Sequence, residues 1–249
     1  MTPLVLVHGF MGGSTQWHCI LSCFTGKRTL ITLDLPGFGA NAHLPPLNRI
    51  EGFAEWVIAE LKAQGVERYH LLGHSMGGMV AQEIARRDSA RIERLILYAT
   101  GPLGVIPGRF ETIEQSKARA RTDGAEQTAR RIAATWFLKR EKAPLYPACA
   151  NIAVQATLPA LEAGFDAMQA WSGLDALSKI ECETLLLWGD CDRTYSWDQT
   201  QLLWSGITGA SLAVVPQTAH AVHMEKPAIS RDNQRTCRGF LNRLGPESM

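Results

Sequence analysis

Ser75 stands at the centre of Gly73-His74-Ser75-Met76-Gly77, a G-x-S-x-G pattern entered by an apolar run and left by a helically periodic one. Tyr69-His70-Leu71-Leu72 before it is strand-forming, and after it Val80 with Ile84 and Ala81 with Ala85 recur at i,i+4 spacing. A strand that turns at once into a helix has no space for side chains at positions 73 and 77, and Gly78 keeps the first helical turn slim. The serine between them is forced into a strained backbone conformation, with its hydroxyl at the carboxyl end of a strand and the amino end of a helix. Backbone N–H groups there favour developing negative charge. A serine so placed is a candidate nucleophile, and because a hydroxyl attacks poorly at neutral pH it needs a base within hydrogen-bond reach and a group to orient that base.

The elements that must position such a set are legible as alternating runs. Leu4–Val7, Leu30–Leu33, Tyr69–Leu72, Leu95–Tyr98, Leu185–Trp188 and Leu212–Val215 are short and apolar, and helical patterns separate them. Strands spaced by helices predict parallel βαβ units, and continuous rather than alternating apolar residues predict a sheet covered on both faces. Within Glu51–Gln64, the residues Phe53, Trp56, Val57, Glu60 and Leu61 are periodic, and Gly65 is a natural stop. After Pro227, the residues Ile229, Thr236, Cys237, Phe240, Leu241 and Leu244 predict a closing helix over the sheet.

Residues 101–180 break the alternation. They contain no strand pattern and predict helices broken at Gly124, Pro144, Pro147, Pro159 and Gly173. Arg109, Lys117, Arg119, Arg121, Arg130 and Arg131 make the first half basic, which predicts a solvated face. Leu158, Leu161, Phe165 and Met168, with Trp136, Phe137 and Trp171, supply apolar surface. Insertions at strand carboxyl ends of a parallel sheet sit over its ligand site, so Trp136 and Trp171 are candidates to line a pocket above Ser75.

With 249 residues, 46% hydrophobic, the chain suits one globular domain with an inserted subdomain. Its net charge of +1 provides no electrostatic footprint for nucleic acid or an anionic membrane, and a small-molecule partner is expected. The six cysteines are scattered with no C-x-x-C pair, as for reduced thiols of a cytoplasmic protein. The amino terminus has no basic segment before a signal-like apolar run, and nothing reaches the length of a membrane span. No carboxylate pair, histidine-rich cluster or G-x-x-x-x-G-K-S/T loop supports a metal or nucleotide, so no cofactor is expected. A monomer or homodimer is expected.

Three further stretches accompany the serine: His8-Gly9-Phe10-Met11-Gly12-Gly13 after the first apolar run, Asp34-Leu35-Pro36-Gly37-Phe38-Gly39 after the second, and Ala219-His220 after the last. Together with the serine turn they resemble the oxyanion loop, the D-x-P-G-x-G turn, the nucleophile turn and the histidine loop of the α/β-hydrolase superfamily, over nearly the whole chain. The resemblance implies a mostly parallel sheet of about six strands flanked by helices, short by two strands at the edge where the family commonly has a hairpin. It implies a core of residues 1–100 and 181–249, and a helical lid of residues 101–180 inserted after the sixth family strand. His220 matches the family histidine, with alanine where glycine is usual before it, and His223 is the alternative. The family spacing G-x-x-D selects Asp192 over Asp190 in Gly189-Asp190-Cys191-Asp192. The backbone N–H groups of Met76 and Phe10 correspond to the oxyanion donors.

The resemblance thus implies a cofactor-independent Ser-His-Asp hydrolase acting on a small carboxylic ester or lactone, and the insertion resembles that of enol-lactonases. Hydrolysis of a carbon–carbon bond in a vinylogous diketone uses the same triad and is the alternative, although Gly9-Phe10-Met11-Gly12-Gly13 lacks the G-P-G-A type segment. His8-Gly9-Phe10 with Trp17, a further candidate substrate contact, is similar to menaquinone-pathway lyases, which carry arginine where Met79 stands. A non-catalytic protein of the same fold is a fourth possibility.

Overall fold

Six strands form one sheet, each paired in parallel with its neighbours: β1 Leu4–Val7, β2 Leu30–Leu33, β3 Tyr69–His74, β4 Ile92–Tyr98, β5 Glu183–Gly189 and β6 Ser211–Val215, in the spatial order β2-β1-β3-β4-β5-β6. The computed structural model describes residues 2–21, 29–105, 108–109 and 111–226. The predicted closing helix after Pro227 lies outside the described residues, as do Cys23 and Cys237.

The period of two along a strand sends successive side chains to opposite faces, and both faces are apolar. Val5, Val7, Leu71, Leu95 and Leu97 pack on one side with Phe53, Val57 and Leu61 of α2 (Ile50–Ala63) and with Val80 and Ile84 of α3 (Met76–Arg87). Leu4, Leu6, Leu72, Ile96 and Tyr98 pack on the other side with Trp17, with Ile20 of the short α1 (His18–Leu21) and with Val222. Continuous apolar strands are therefore the consequence of two covered faces, as the sequence pattern requires.

Between β4 and β5 the chain runs through α4 (Ile113–Thr122), α5 (Ala125–Thr135), α6 (Tyr146–Ala153) and α7 (Leu158–Gln169), and a lone antiparallel bridge joins Leu103 to Ser172. Thr112 begins α4 with a reciprocal cap, its hydroxyl accepting from the Gln115 N–H and its own N–H donating to the Gln115 side chain. Gly124, at φ +89°, precedes α5. Pro147 and Pro159 lie in the first turns of α6 and α7 rather than at their ends, because a helix's first turn has no intrahelical acceptor for the N–H that proline lacks. The short α8 (Trp197–Gly206) and α9 (Val222–Glu225) follow β5 and β6.

Candidate active site

β3 ends at His74 and α3 begins at Met76, leaving Ser75 alone at the corner with φ +57° and ψ −122°. That conformation costs a non-glycine residue about 1–3 kcal/mol, so its surroundings must over-determine it. They do. The Ser75 N–H donates to the Tyr98 carbonyl at 3.0 Å, and the Ser75 carbonyl accepts from the Gly78 N–H at 2.8 Å and the Thr100 hydroxyl at 2.7 Å. The glycines are demanded by backbone contact: a Cβ on Gly73 would lie 2.2 Å from the Gly77 carbonyl oxygen, and one on Gly77 would lie 2.4 Å from the carbonyl oxygens of both Val7 and His8.

The loop after β1 is drawn against this corner, since a Cβ on Gly9 would come 2.8 Å from the Ser75 Cβ. His8 fixes the loop. Its Nδ1–H donates to the Gly9 carbonyl at 2.8 Å and its Nε2 accepts from the Leu35 N–H at 2.9 Å, which requires the neutral ring. Burial agrees, holding His8 below the usual imidazole range. Asp34 ties the next turn to the same loop, accepting from the Ser14 N–H at 2.8 Å and the Ser14 hydroxyl at 2.7 Å. A Cβ on Gly39, itself at φ +53°, would sit 1.8 Å from the Asp34 carboxylate, which explains the glycine that closes that turn.

Asp192 and His220 meet across the carboxyl ends of β5 and β6. One Asp192 oxygen accepts from the Thr194 and Tyr195 N–H groups at 2.7 and 3.1 Å, and the other lies 3.0 Å from His220 Nδ1. The two side chains are 0% and 1% exposed, so the carboxylate's hydrogen bonds go to these partners and not to bulk water. Asp190 is spent differently, its carboxylate accepting from the Thr218 N–H at 3.4 Å across to the loop after β6. His223 is engaged by Tyr98, whose hydroxyl donates to His223 Nδ1 at 2.7 Å and accepts from the His223 N–H at 3.0 Å. Burial, with His220 adjacent, pushes His223 down to about 3.

His220 is held by rings on several sides. Tyr195 stacks nearly parallel to it at 5.7 Å, His74 lies 4.8 Å away and Trp136 5.9 Å away. His74 also donates from Nε2 to the His220 carbonyl at 3.2 Å, while its Nδ1 faces the Gln16 amide nitrogen at 3.4 Å. Burial and the neighbouring His220 and His223 keep His74 well below the usual imidazole range, which suits a neutral donor.

A cavity opens at this corner, lined by Ser75 together with Phe10, Trp136, Tyr195 and Met168. Trp136 is thus brought to the candidate nucleophile. Trp17 and Trp171 are not: Trp17 is wholly buried on the far face of the sheet against His74 and His223, and the Trp171 indole donates to the buried Glu83 at 3.1 Å. Tyr195, whose hydroxyl burial pushes above the usual phenol range, was not marked by the sequence, although it follows Asp192 by three residues. Two arginines, Arg109 and Arg193, line the same cavity, so the predicted solvated face of the basic stretch does not extend to Arg109.

A model of the alpha/beta hydrolase family matches residues 4–229. A pimeloyl-[acyl-carrier protein] methyl ester esterase of Pectobacterium carotovorum is 26% identical over 238 residues, covering 91% of this chain and 90% of that one. At 39% identity over 110 residues the chain matches the dihydrolipoyllysine-residue acetyltransferase component of the acetoin cleaving system of Pseudomonas putida, covering 44% of this chain and 30% of that protein. The chain therefore spans under a third of that relative. Among solved structures, the enol-lactonase of Burkholderia xenovorans LB400 superposes with a TM-score of 0.87 at 21% identity, covering 97% of this chain and 92% of the other, a likeness of fold.

Proposed function

The chain belongs to the alpha/beta hydrolase family, and from that premise we propose that it hydrolyses a small carboxylic ester or lactone through an acyl-enzyme formed on Ser75. The observation that carries the proposal is the strained Ser75, over-determined by three backbone-directed hydrogen bonds, on a cavity it shares with Tyr195, whose ring stacks on His220 of the buried Asp192–His220 pair. Family relatives that include an esterase support the same class of reaction.

His220 Nε2 removes the Ser75 proton as Oγ attacks the carbonyl carbon, and Asp192 holds Nδ1 protonated so that Nε2 is free to accept. The N–H groups of Met76 and Phe10 receive the oxyanion, a contribution on the order of 3 kcal/mol per donor to the transition state. The intermediate collapses, the His220 imidazolium protonates the leaving alcohol oxygen, and the acyl group stays on Ser75. Water, deprotonated by His220, then releases the carboxylic acid and restores the serine. In a lactone the leaving alcohol is part of the same molecule. The residues 101–180 act as a lid, with Trp136 as part of the pocket roof above Ser75.

No helix among the described residues is long and apolar enough to cross a membrane. The substrate is a small molecule that enters the cavity from solution. The test is turnover across a panel of p-nitrophenyl esters, methyl esters, lactones and vinylogous diketones, followed by pH-stat or absorbance. Ester or lactone hydrolysis by the parent and none by Ser75→Ala is the expected result; turnover confined to the diketones would replace the proposal.

A further inference from the structure

Tyr195 stands where the nucleophile and the base meet, and the hydrolytic steps make no use of it. The side chain is buried, 1% exposed, yet it lines the cavity at Ser75. Its main chain is clamped on both sides: the N–H donates to the Asp192 carboxylate at 3.1 Å, and the carbonyl accepts from the Trp188 indole at 2.8 Å. The ring is held as well. It lies nearly parallel to the His220 ring, with 24° between the planes and 5.7 Å between the centroids. It also packs against the chain that leaves β4, where a Cβ on Gly101 would lie 3.0 Å from the Tyr195 Cδ1. A ring fixed by main-chain bonds and by two packed surfaces keeps its hydroxyl in place without reorganisation during a reaction.

That hydroxyl reaches the nucleophile. Burial pushes the Tyr195 pKa above the usual phenol range, and hydrogen bonding with the Ser75 side chain opposes the rise. The phenol is therefore protonated at neutral pH and has a proton to donate. A serine hydroxyl oxygen carries one proton and two lone pairs. The Ser75 proton must point at His220 for attack, which leaves a lone pair of Oγ for the Tyr195 O–H.

Resting on the hydrolase proposal above, we propose that Tyr195 is a further catalytic residue, whose hydroxyl donates to Ser75 Oγ and assists the expulsion of that oxygen from the acyl-enzyme. In the resting enzyme Oγ is a hydroxyl oxygen and accepts well. In the acyl-enzyme it is an ester oxygen whose lone pair is delocalised into the carbonyl, and it accepts weakly. When the second tetrahedral intermediate collapses, the C–Oγ bond breaks, its electron pair goes to Oγ, and Oγ takes the proton of the His220 imidazolium. Tyr195 keeps its own proton throughout. Only an interaction that is stronger in the transition state than in the ground state speeds a step. The phenol bond strengthens from acyl-enzyme to collapse, whereas on acylation it starts strong and changes little, so the hydroxyl acts on deacylation.

The experiment measures kcat on saturating p-nitrophenyl acetate together with the fraction of Ser75 acetylated at steady state, read by intact-protein mass spectrometry after an acid quench. Dividing kcat by the acetylated fraction gives the deacylation constant, and dividing it by the unacetylated fraction gives the acylation constant. Tyr195→Phe keeps the ring on His220 and removes only the hydroxyl, so it should lower the deacylation constant roughly 10-fold and move the acylation constant by less than about threefold. Tyr195→Leu, which also takes the ring from His220, should slow both steps. Site-specific 3-fluorotyrosine at this position, a stronger donor of the same shape, should raise the deacylation constant alone, and it tests the idea even if Tyr195→Phe fails to fold. Deacylation unchanged by Tyr195→Phe or by the fluorinated ring, or both constants falling equally in Tyr195→Phe, overturns the role of Tyr195 and leaves the hydrolase standing while a fluorophosphonate still labels Ser75. A parent neither acetylated nor labelled overturns the two together.

Discussion

Exchanging the Asp192 carboxylate for an amide should disable the enzyme while changing almost no volume. One carboxylate oxygen accepts two backbone N–H groups, from Thr194 at 2.7 Å and Tyr195 at 3.1 Å. In Asp192→Asn the amide oxygen must keep that position, since the reverse orientation would aim an NH₂ group at two N–H donors. The amide NH₂ then faces His220 Nδ1, which lies 3.0 Å from the present carboxylate. Nδ1 is forced to accept, the ring proton moves to Nε2, and the nitrogen that should take the Ser75 proton already carries one. The equivalent change in serine proteases costs about 10⁴ in kcat, or about 5.4 kcal/mol of barrier. Asp190→Asn is the control, because its carboxylate accepts a 3.4 Å contact from the Thr218 N–H, which an amide oxygen also accepts, and does not face His220. The assay is kcat on p-nitrophenyl acetate, with thermal melts to show that both variants are folded. A folded Asp192→Asn within tenfold of the parent, or an Asp190→Asn as crippled as expected for Asp192→Asn, would refute the tautomer reasoning.

Trp136→Ala should reshape the preference along an acyl chain-length series by a few tens of times in kcat/KM, from about 2 kcal/mol of lost ring contact, whereas an unchanged profile would remove Trp136 from the pocket. Trp171→Phe should leave that profile alone and lower stability by about 1–3 kcal/mol in urea titrations, because the buried Glu83 loses the indole N–H; a shifted profile would contradict this. Acid should destabilise the fold before any carboxylate protonates. His8, His74 and His223 have folded pKa values depressed below the unfolded value near 6.5, so their cost is absent above pH 6.5 and grows as pH falls toward the folded values. Between pH 6.5 and 5.5 His223, whose folded value is about 3, should cost about 1 kcal/mol, with His8 and His74 adding to the loss in the same direction, and a flat unfolding free energy over that interval would show that the rings are not buried neutral.

How far the chain could be read from sequence depended on whether the constraint was local. Gly73 and Gly39 are dictated by atoms four or five residues away, and Gly77, although its Cβ would meet the distant Val7 and His8 carbonyls, falls in the same short pattern, so their spacing announces the corner at Ser75 and the turn at Asp34. The strands were legible for the same reason, as period and apolarity follow from two covered faces. Asp192 and His220 lie 28 residues apart, and only the resemblance to a family order paired them; the bonds that reserve one aspartate for the histidine and the other for the loop after β6 are tertiary. Tyr195 carried a weak signal in following Asp192 by three residues, but its stacking on His220 brings together chain ends of β5 and β6 that nothing in the sequence joins. Tryptophan composition could not separate Trp136 from Trp17 and Trp171, because all three are equally apolar and only packing decides which ring meets a cavity. Arg109 was hidden by the same ambiguity in the opposite sense, a charge inside a basic stretch that packing turns inward over Phe165.

The nucleophile itself is tested most directly by intact-protein mass spectrometry after treatment with a fluorophosphonate. The reagent bonds to an activated serine Oγ with loss of fluoride, and its adduct needs no knowledge of the substrate. One adduct on the parent, mapped to the peptide containing Ser75, and none on a folded Ser75→Ala is the expected result. An adduct of the same mass and rate on Ser75→Ala, or an unlabelled parent, would contradict the assignment of Ser75 as the reacting group.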